Sequence, residues 1–365
     1  MKIGVEASRL LREKRGMGRY VRNLLREIPL ARSNVSFTIY VSRSADEKPM
    51  RELLTQIGAT AASSIIQRKD AIATGSVDVM WYPWNWVNPP TKRTAIAVTI
   101  HDIVPMIQLD HRWWKIWKRA KYRWRYANSV QLADAILADS AFTAREIKRA
   151  LNPDMTKVHE VLLASDDFVA NADDTAPILE KLGVTGPFFM AVGAHEARKN
   201  LPVLVSAMRE LNSRGVNVPL VLCGPGARLS NAAGAQNESW LKYAGFVSDS
   251  ELAALYRRAT ALVFPSRYEG FGLPVLEAMQ CGGRVVCADA SSLPQVAGDA
   301  ALLFPPNDVN TLVLQLQRML NDSALRDDLT RRGLAQSARF RWCDTARNTL
   351  KAFDAAIARH HQNRA

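Results

Sequence analysis

Two carboxylates, Glu269 and Glu277, stand eight residues apart in Phe264-Pro-Ser-Arg-Tyr-Glu-Gly-Phe-Gly-Leu-Pro-Val-Leu-Glu277. Upstream, Thr260–Phe264 reads as a short buried strand, apolar on both faces. Gly270 and Gly272 let the backbone turn tightly and approach a ligand. From Leu273 the spacing Leu273, Leu276, Met279 is helical, and Pro274 is tolerated in the first turn. Strand, glycine turn and helix start together present free N–H groups and the positive end of a helix dipole, which suits a phosphate. Phe271 lies inside this turn. Glu269 in the turn then faces what the phosphate carries, and Glu277 is placed to accept hydrogen bonds from a ribose. A carboxylate beside a phosphate repels it unless it addresses hydroxyls, so the ligand that fits bears both groups, as a nucleotide-sugar does. The plainer reading is two solvated acids at a helix start.

Cations stand at a similar place upstream. Arg198-Lys199-Asn200 follows the apolar run Phe188–Val192 by a short loop and precedes a helix. Cations oppose the dipole there unless an anion is present, and this pair can neutralise a diphosphate, arginine through paired donors and lysine as a point charge. Leu222-Cys-Gly-Pro-Gly226 places Gly224 in a second glycine turn, suited to close packing beside a base. Gly16-Met-Gly18 follows the strand 2–7 and opens the helix 19–28. It is either another amide-rich ligand turn or a structural one. His101 ends the strand 95–100; taken alone, a histidine there is structural more often than functional.

Taken in order, these segments resemble retaining glycosyltransferase family 4, whose donor-binding signature is similar to the Glu-(seven residues)-Glu of Pro265–Met279. Gly193–Asn200, Leu222–Gly226, Tyr243–Asp249, Ser291–Ala300 and Pro305–Asp308 continue the likeness, and Gly16–Tyr20 and Val98–Asp102 extend it into the first half. The resemblance implies the α/β GT-B fold, two doubly wound Rossmann-like domains facing across a deep cleft. It implies His101, Arg198, Lys199 and Glu269 at the reaction centre. Donor binding falls to Gly16, Gly18, Gly224, Phe246, Val247, Gly270, Phe271, Gly272, Leu273 and Glu277, with the base met by backbone atoms between Phe246 and Ser248.

The implied reaction moves a sugar with retention from a nucleotide diphosphate to a lipid-linked or growing cell-envelope polysaccharide. GDP-mannose is the donor favoured by the family's habits, and UDP-glucose stays open. A soluble acceptor, or nucleotide-sugar binding without turnover, are the alternatives. The spacing holds no Asp/His metal cluster and no D-x-D, so no metal or other cofactor is expected; fixed cations stabilise the departing diphosphate instead. Two positions depart from the pattern: Gln295 stands where glutamate is frequent, and Arg284 where proline is. Both are expected to alter the edge of the donor pocket.

At 365 residues, 48% hydrophobic and 23% charged, the chain suits two soluble globular domains rather than a disordered or fibrous one. The expected division is 1–168, an acceptor-binding domain, and 169–345, the nucleotide-sugar domain, with Ser165–Thr175 as linker and a terminal helix near 346–365 returning to the first domain. Strands are predicted at 2–7, 36–41, 78–82, 95–100, 134–138 and 157–162, then at 187–192, 218–223, 260–264, 284–288 and 301–304. Helices alternate with them, which implies parallel sheets covered on both faces. The last helical run reads as one piece, 335–361. Cys223 and Cys287 lie in apolar runs and read as buried thiols. Glu6 interrupts the first apolar run, so it reads as a strand and not a signal peptide. A cytoplasmic protein is expected, since no run approaches the roughly 20 apolar residues of a membrane span.

Net charge is +13, most of it in the first half. There His111–Tyr126 gathers seven cations, four tryptophans and two tyrosines, with no acid from 111 to 133. Aromatic and basic residues together suit an anionic bilayer surface, so Trp113, Trp114, Trp117, Lys118 and Arg119 are expected membrane contacts on the inner face of the plasma membrane. The competing expectation is that the tryptophans pack inside and only the cations meet water. Nucleic acid is not an expected partner.

Overall fold

The structure is a computed structural model. It describes the chain except residues 14–15, 60–64, 69–70, 73–75, 92, 108–115, 166–167, 169–175, 194–195, 225–237 and 365; of 65–68, 116, 176 and 177 it describes the backbone only. The described chain forms two units, Met1–Leu163 with Arg341–Ala365, and Ala164–Phe340. The divisions fall a few residues before the expected 168 and 345, and most of the expected linker lies outside the described residues.

Unit 1 is built on seven parallel strands: β1 (Lys2–Glu6), β2 (Ser36–Val41), β3 (Ile65–Arg68), β4 (Val79–Tyr82), β5 (Ala95–Ile100), β6 (Ala135–Ala138) and β7 (Val158–Glu160). Their order is β3-β2-β1-β4-β5-β6-β7. Every residue of β4, β5 and β6 is buried, as a strand covered by helices on both faces requires. β3 was not predicted. Chain direction across the sheet reverses between β1 and β4, where Ile3 pairs with Phe37 on one side and Val79 on the other. Doubly wound sheets bind ligands beside the carboxyl ends of the two strands at such a reversal.

The terminal helix Trp342–Gln362 belongs to unit 1. Its Phe353 ring lies 5.9 Å from that of Trp81, and Trp342 lies 6.4 Å from Tyr20. Arg32 grips Asp354 through two N–H donors at 2.8 and 2.6 Å. The expected single run 335–361 is two helices, Ser323–Ser337 and Trp342–Gln362. They separate where Phe340 packs on Phe271 of unit 2 and Trp342 is buried in unit 1.

Unit 2 repeats the plan with six parallel strands: β8 (Phe189–Val192), β9 (Leu220–Cys223), β10 (Leu241–Gly245), β11 (Ala261–Phe264), β12 (Val285–Ala288) and β13 (Leu302–Phe304). The order β10-β9-β8-β11-β12-β13 reverses between β8 and β11. β10 was not predicted, because Lys242 and Gly245 interrupt its short apolar pattern. Cys223 and Cys287 are buried thiols, and burial pushes Cys287 up to about 12. Arg284 corrects the sequence expectation. It stands at the amino end of β12, opposite the ligand edge, and its guanidinium donates to the carbonyls of Ala259 and Thr260, closing the end of the helix Asp249–Arg258.

Candidate active site

In unit 2 the loops after β8 and β11, the strands astride the reversal, carry the residues singled out by their spacing. Arg198 and Lys199 end a single helical turn (Ala197–Lys199), and Asn200 takes a left-handed conformation (φ 56°) to start the helix Leu201–Ser213. Asn200 is buried and donates to the Pro306 carbonyl at 2.6 Å, which fixes the direction of the two cations before it. Glu269 lies in the turn after β11. Its backbone N–H donates to Ser291 Oγ at 3.0 Å, and Ser292 Oγ–H donates to the carbonyls of Glu269 and Phe271 at 3.0 and 2.6 Å. Gly272 completes the turn with φ 111° and leads into Leu273–Gln280.

These loops bring three of the four expected reaction-centre residues together. Lys199 Nζ donates to Glu269 Oε1 at 2.8 Å, and Arg198 Nη1 donates to Glu269 Oε2 at 2.7 Å. Lys199 Nζ also sits 4.8 Å from the Phe264 ring centroid. Burial alone would raise the Glu269 carboxyl, but Lys199 and Arg198 outweigh it and hold the group below its usual range. Burial lowers the Arg198 guanidinium, and Glu269 and Glu196 more than reverse this. Glu196, which sequence reading passed over, accepts from Arg198 Nε at 2.7 Å. Two cations thus face two carboxylates, and the cluster carries no net charge.

The other donor-side positions surround this cluster. Gly224 has φ 134°, and a Cβ there would stand 3.4 Å from the Gly193 backbone, so the turns after β8 and β9 approach closely. Gly226 and Ala194 lie outside the described residues. Phe246 follows β10 with 71% of its surface exposed, while Val247 is buried. Gly270, Phe271, Gly272 and Leu273 form the turn and the helix start. Glu277 is buried in the helix and accepts from Tyr256 Oη at 3.3 Å. Gln295 lies in the short helix Leu293–Ala297, next to the serines that hold Glu269.

The remaining candidates are in unit 1. Gly16 (φ 54°) caps the helix Met17–Ala31. A Cβ on Gly18 would fall 1.6 Å from the Glu13 carbonyl oxygen, so that position admits glycine alone without movement of the loop. His101 follows β5 and is buried. Its Nδ1 is 2.6 Å from Asp139 Oδ2 and its Nε2 is 2.9 Å from the Pro83 carbonyl oxygen. A carbonyl and a carboxylate only accept, so this geometry asks both ring nitrogens to donate. Burial lowers the imidazole, but Asp139, the Pro83 carbonyl and Asp102 together raise it above its usual value. This setting favours the protonated ring of His101. Asp139 was missed by sequence reading; the signal was an acid set directly after the apolar strand Ala135–Ala138.

Of the expected membrane contacts, Trp113 and Trp114 lie outside the described residues. Trp117 is 83% exposed and Trp124 67% exposed on the helix Ile116–Leu132, with Lys118, Arg119, Lys121 and Arg123 exposed around them. Trp117 and Trp124 do not pack inside. No helix among the described residues is long and apolar enough to cross a membrane, and no group of three His, Cys, Asp or Glu among them is arranged to hold a metal ion.

Two doubly wound units, each open at the carboxyl edge of its sheet, define the GT-B class of glycosyltransferases. The sucrose-phosphate synthase of Thermosynechococcus elongatus has a similar fold at a TM-score of 0.72, with 18% identity over 98% of this chain and 99% of that one. HepE of Anabaena, solved with UDP and glucose, does so at 0.71, with 15% identity over 97% of this chain and 99% of that one.

The chain belongs to the glycosyl transferases group 1 family, whose pattern residues 175–336 match, and it is a glycosyltransferase. It is 36% identical to O-antigen chain mannosyltransferase B of Escherichia coli over 290 residues, 76% of this chain and 74% of the relative. It is 30% identical to the serotype-specific mannosyltransferase WbdA of Escherichia coli over 282 residues, 73% of this chain, and it spans about a third (34%) of that longer protein.

Proposed function

We propose that the chain transfers mannose, with retention, from GDP-mannose to a lipid-linked or growing O-antigen-type polysaccharide at a membrane surface. The observation that carries this reading is the Arg198–Lys199–Glu269 cluster at the sheet reversal of unit 2, in a chain similar to an O-antigen mannosyltransferase. The donor's diphosphate takes the place of Glu269 on the two cations and meets the amides of Gly272 and Leu273 at the helix start. Glu269, released from them, turns to the sugar hydroxyls. Glu277 accepts from the ribose, and the base lies beside Phe246 and Val247.

As the anomeric carbon–oxygen bond breaks, charge grows on the leaving phosphate oxygen, where Arg198 and Lys199 stabilise it without a metal. The acceptor hydroxyl attacks on the face the diphosphate leaves, and its proton passes to that phosphate. His101 is no candidate base, because both of its nitrogens are already committed to Asp139 and the Pro83 carbonyl. Glycan acceptor binding is assigned to unit 1, and the exposed Trp117 and Trp124 among cations favour an acceptor presented at an anionic bilayer.

A panel of nucleotide-sugars, screened by thermal shift and then by transfer to diphosphate-linked acceptors, tests the reading. GDP-mannose should raise Tm most and donate its sugar with the α configuration kept, as read by NMR. Transfer from another nucleotide-sugar alone would remove the mannose assignment. The absence of stabilisation by every member of the panel would remove the donor site.

A further inference from the structure

Beside the reversal in unit 1 lies a second cluster, built on the loops after β1 and β4. Trp84 is buried and its Nε1–H donates to the Glu6 carbonyl at 2.6 Å. Asn85 is left-handed (φ 71°), and its side chain accepts the His101 backbone N–H at 2.6 Å. These contacts fix Trp86 half-buried at the carboxyl edge of the sheet. From the β1 loop, the Arg9 guanidinium carbon reaches within 5.5 Å of the Trp84 ring centroid and 5.9 Å of the Trp86 centroid. The helix Ile116–Leu132 is pinned by Tyr126 Oη donating to the Asp102 carbonyl at 3.0 Å, and it brings Arg125 to 5.4 Å from the Trp86 centroid. The Tyr122 ring stands 6.3 Å from Trp86.

We propose that Arg9, Arg125 and Trp86 form a binding site in unit 1 for a phosphate-bearing portion of the acceptor glycan. The inference rests on the reading above, in which unit 1 takes the acceptor. Two like charges gather on one indole, where cation–π attraction orients both guanidiniums. Arg9 shares its charge with Glu13 at 2.7 Å; among the described residues no carboxylate pairs with Arg125. The site therefore carries an unbalanced positive charge at the edge where doubly wound sheets take ligands. A neutral glycan calls for no such charge, whereas a phosphate accepts paired N–H bonds from each fork. Trp86 and Tyr122 are both half-buried, and such aromatic surface suits the C–H side of an attached sugar.

The test uses the full chain, Arg125→Gln and Arg125→Lys, and three probes: a hexose joined through diphosphate to a phenoxyalkyl chain, the same hexose joined directly to that chain, and the free hexose 1-phosphate. Calorimetric binding is measured without donor, and KM with donor. Arg125→Gln should weaken the diphosphate probe about tenfold or more, roughly 1.4 kcal/mol, with the lysine variant between and the donor KM unchanged. The directly linked hexose should be indifferent to the substitution. If hexose 1-phosphate binds as tightly as the diphosphate probe, the phosphate belongs to a soluble sugar; if it does not, it belongs to the lipid linkage. Equal effects on charged and neutral probes, or none on either, overturn the site. Arg125-dependent binding without transfer would leave the site standing and sink the transferase reading, and transfer with Arg125-independent binding would do the reverse.

Discussion

Lys199 Nζ lies 2.8 Å from Glu269 Oε1, so the cation assigned to the donor's phosphate and the carboxylate assigned to its sugar are bound to each other. Arg198 holds the other Glu269 oxygen at 2.7 Å. The carboxylate keeps the two cations oriented. On the proposed reading, donor binding exchanges this anion for a phosphate and asks for little reorganisation of the cations.

Glu269→Gln separates the two roles. It leaves Lys199 and Arg198 with a neutral neighbour in a nearly buried setting, which costs about 1–3 kcal/mol of stability. It also removes the anion that competes with phosphate, so nucleoside diphosphate should bind at least as tightly as to the parent. Transfer should still fall by about a hundredfold or more, because the sugar loses its acceptor of hydrogen bonds. Weaker nucleoside diphosphate binding in this variant would contradict the exchange.

Asp139→Asn tests the imidazolium. The His101 pKa is raised above its ordinary value of about 6.5. Its pairing with Asp139 therefore adds stability that is fully present below about pH 6.5 and is lost as pH rises through the raised value. The difference in Tm between parent and variant should be largest in mild acid, near pH 5.5–6, and shrink toward alkaline pH. A difference that grows with pH would mean that His101 is neutral in the folded protein. Glu269, with its pKa lowered by Lys199 and Arg198, behaves oppositely: its contribution is present above about pH 4.3 and disappears as pH falls through the lowered value.

The parts legible in the sequence were those that share a local signal. Buried strands such as Ala261–Phe264 and Val285–Ala288 announce themselves as short apolar runs, and the alternation with helices follows from them. The glycine turn at 270–272 and the adjacent Arg198 and Lys199 were readable because their residue types have few other uses at helix starts. What stayed hidden depends on distant partners. Nothing local shows that Arg198 splits its donors between Glu196 and Glu269, or that Asp139 lies against His101 across neighbouring strands. β3 and β10 lie at sheet edges, and polar residues break their apolar runs, Gln67 and Arg68 in one and Lys242 in the other. Arg284 misled because its place in the motif suggested the ligand edge, whereas the strand direction sets it at the other end.

Gly272→Ala separates backbone strain from packing. At φ 111° a side chain is strained whatever surrounds it, and the new Cβ would stand 2.8 Å from Leu293 Cδ2. The second contact ends in a flexible methyl, so Gly272→Ala with Leu293→Ala relieves it and leaves the first. Both variants should lose about 1–3 kcal/mol from the left-handed position, and the double variant roughly 2–5 kcal/mol more for emptying the buried Leu293 site. Both should bind nucleotide-sugar weakly because the helix-start amides turn away. Full recovery of donor affinity in the double variant would show that packing, not the backbone angle, sets the turn.

Trp117 and Trp124 stand seven residues apart, two turns of one helix, and therefore on one face, with Lys121 between them. Both indoles meet solvent, so removing them should change stability by no more than about 0.5 kcal/mol. Trp117→Ser with Trp124→Ser should nonetheless reduce sedimentation with anionic vesicles by about tenfold or more, since interfacial indoles and nearby cations act together, each cation contributing about 1 kcal/mol close to such a surface. Uncharged phosphatidylcholine vesicles should bind the parent weakly, and raised salt should release it from anionic ones as screening shortens the reach of Lys118, Arg119, Lys121 and Arg123. Vesicle binding that survives the double substitution would move the membrane contact away from this face.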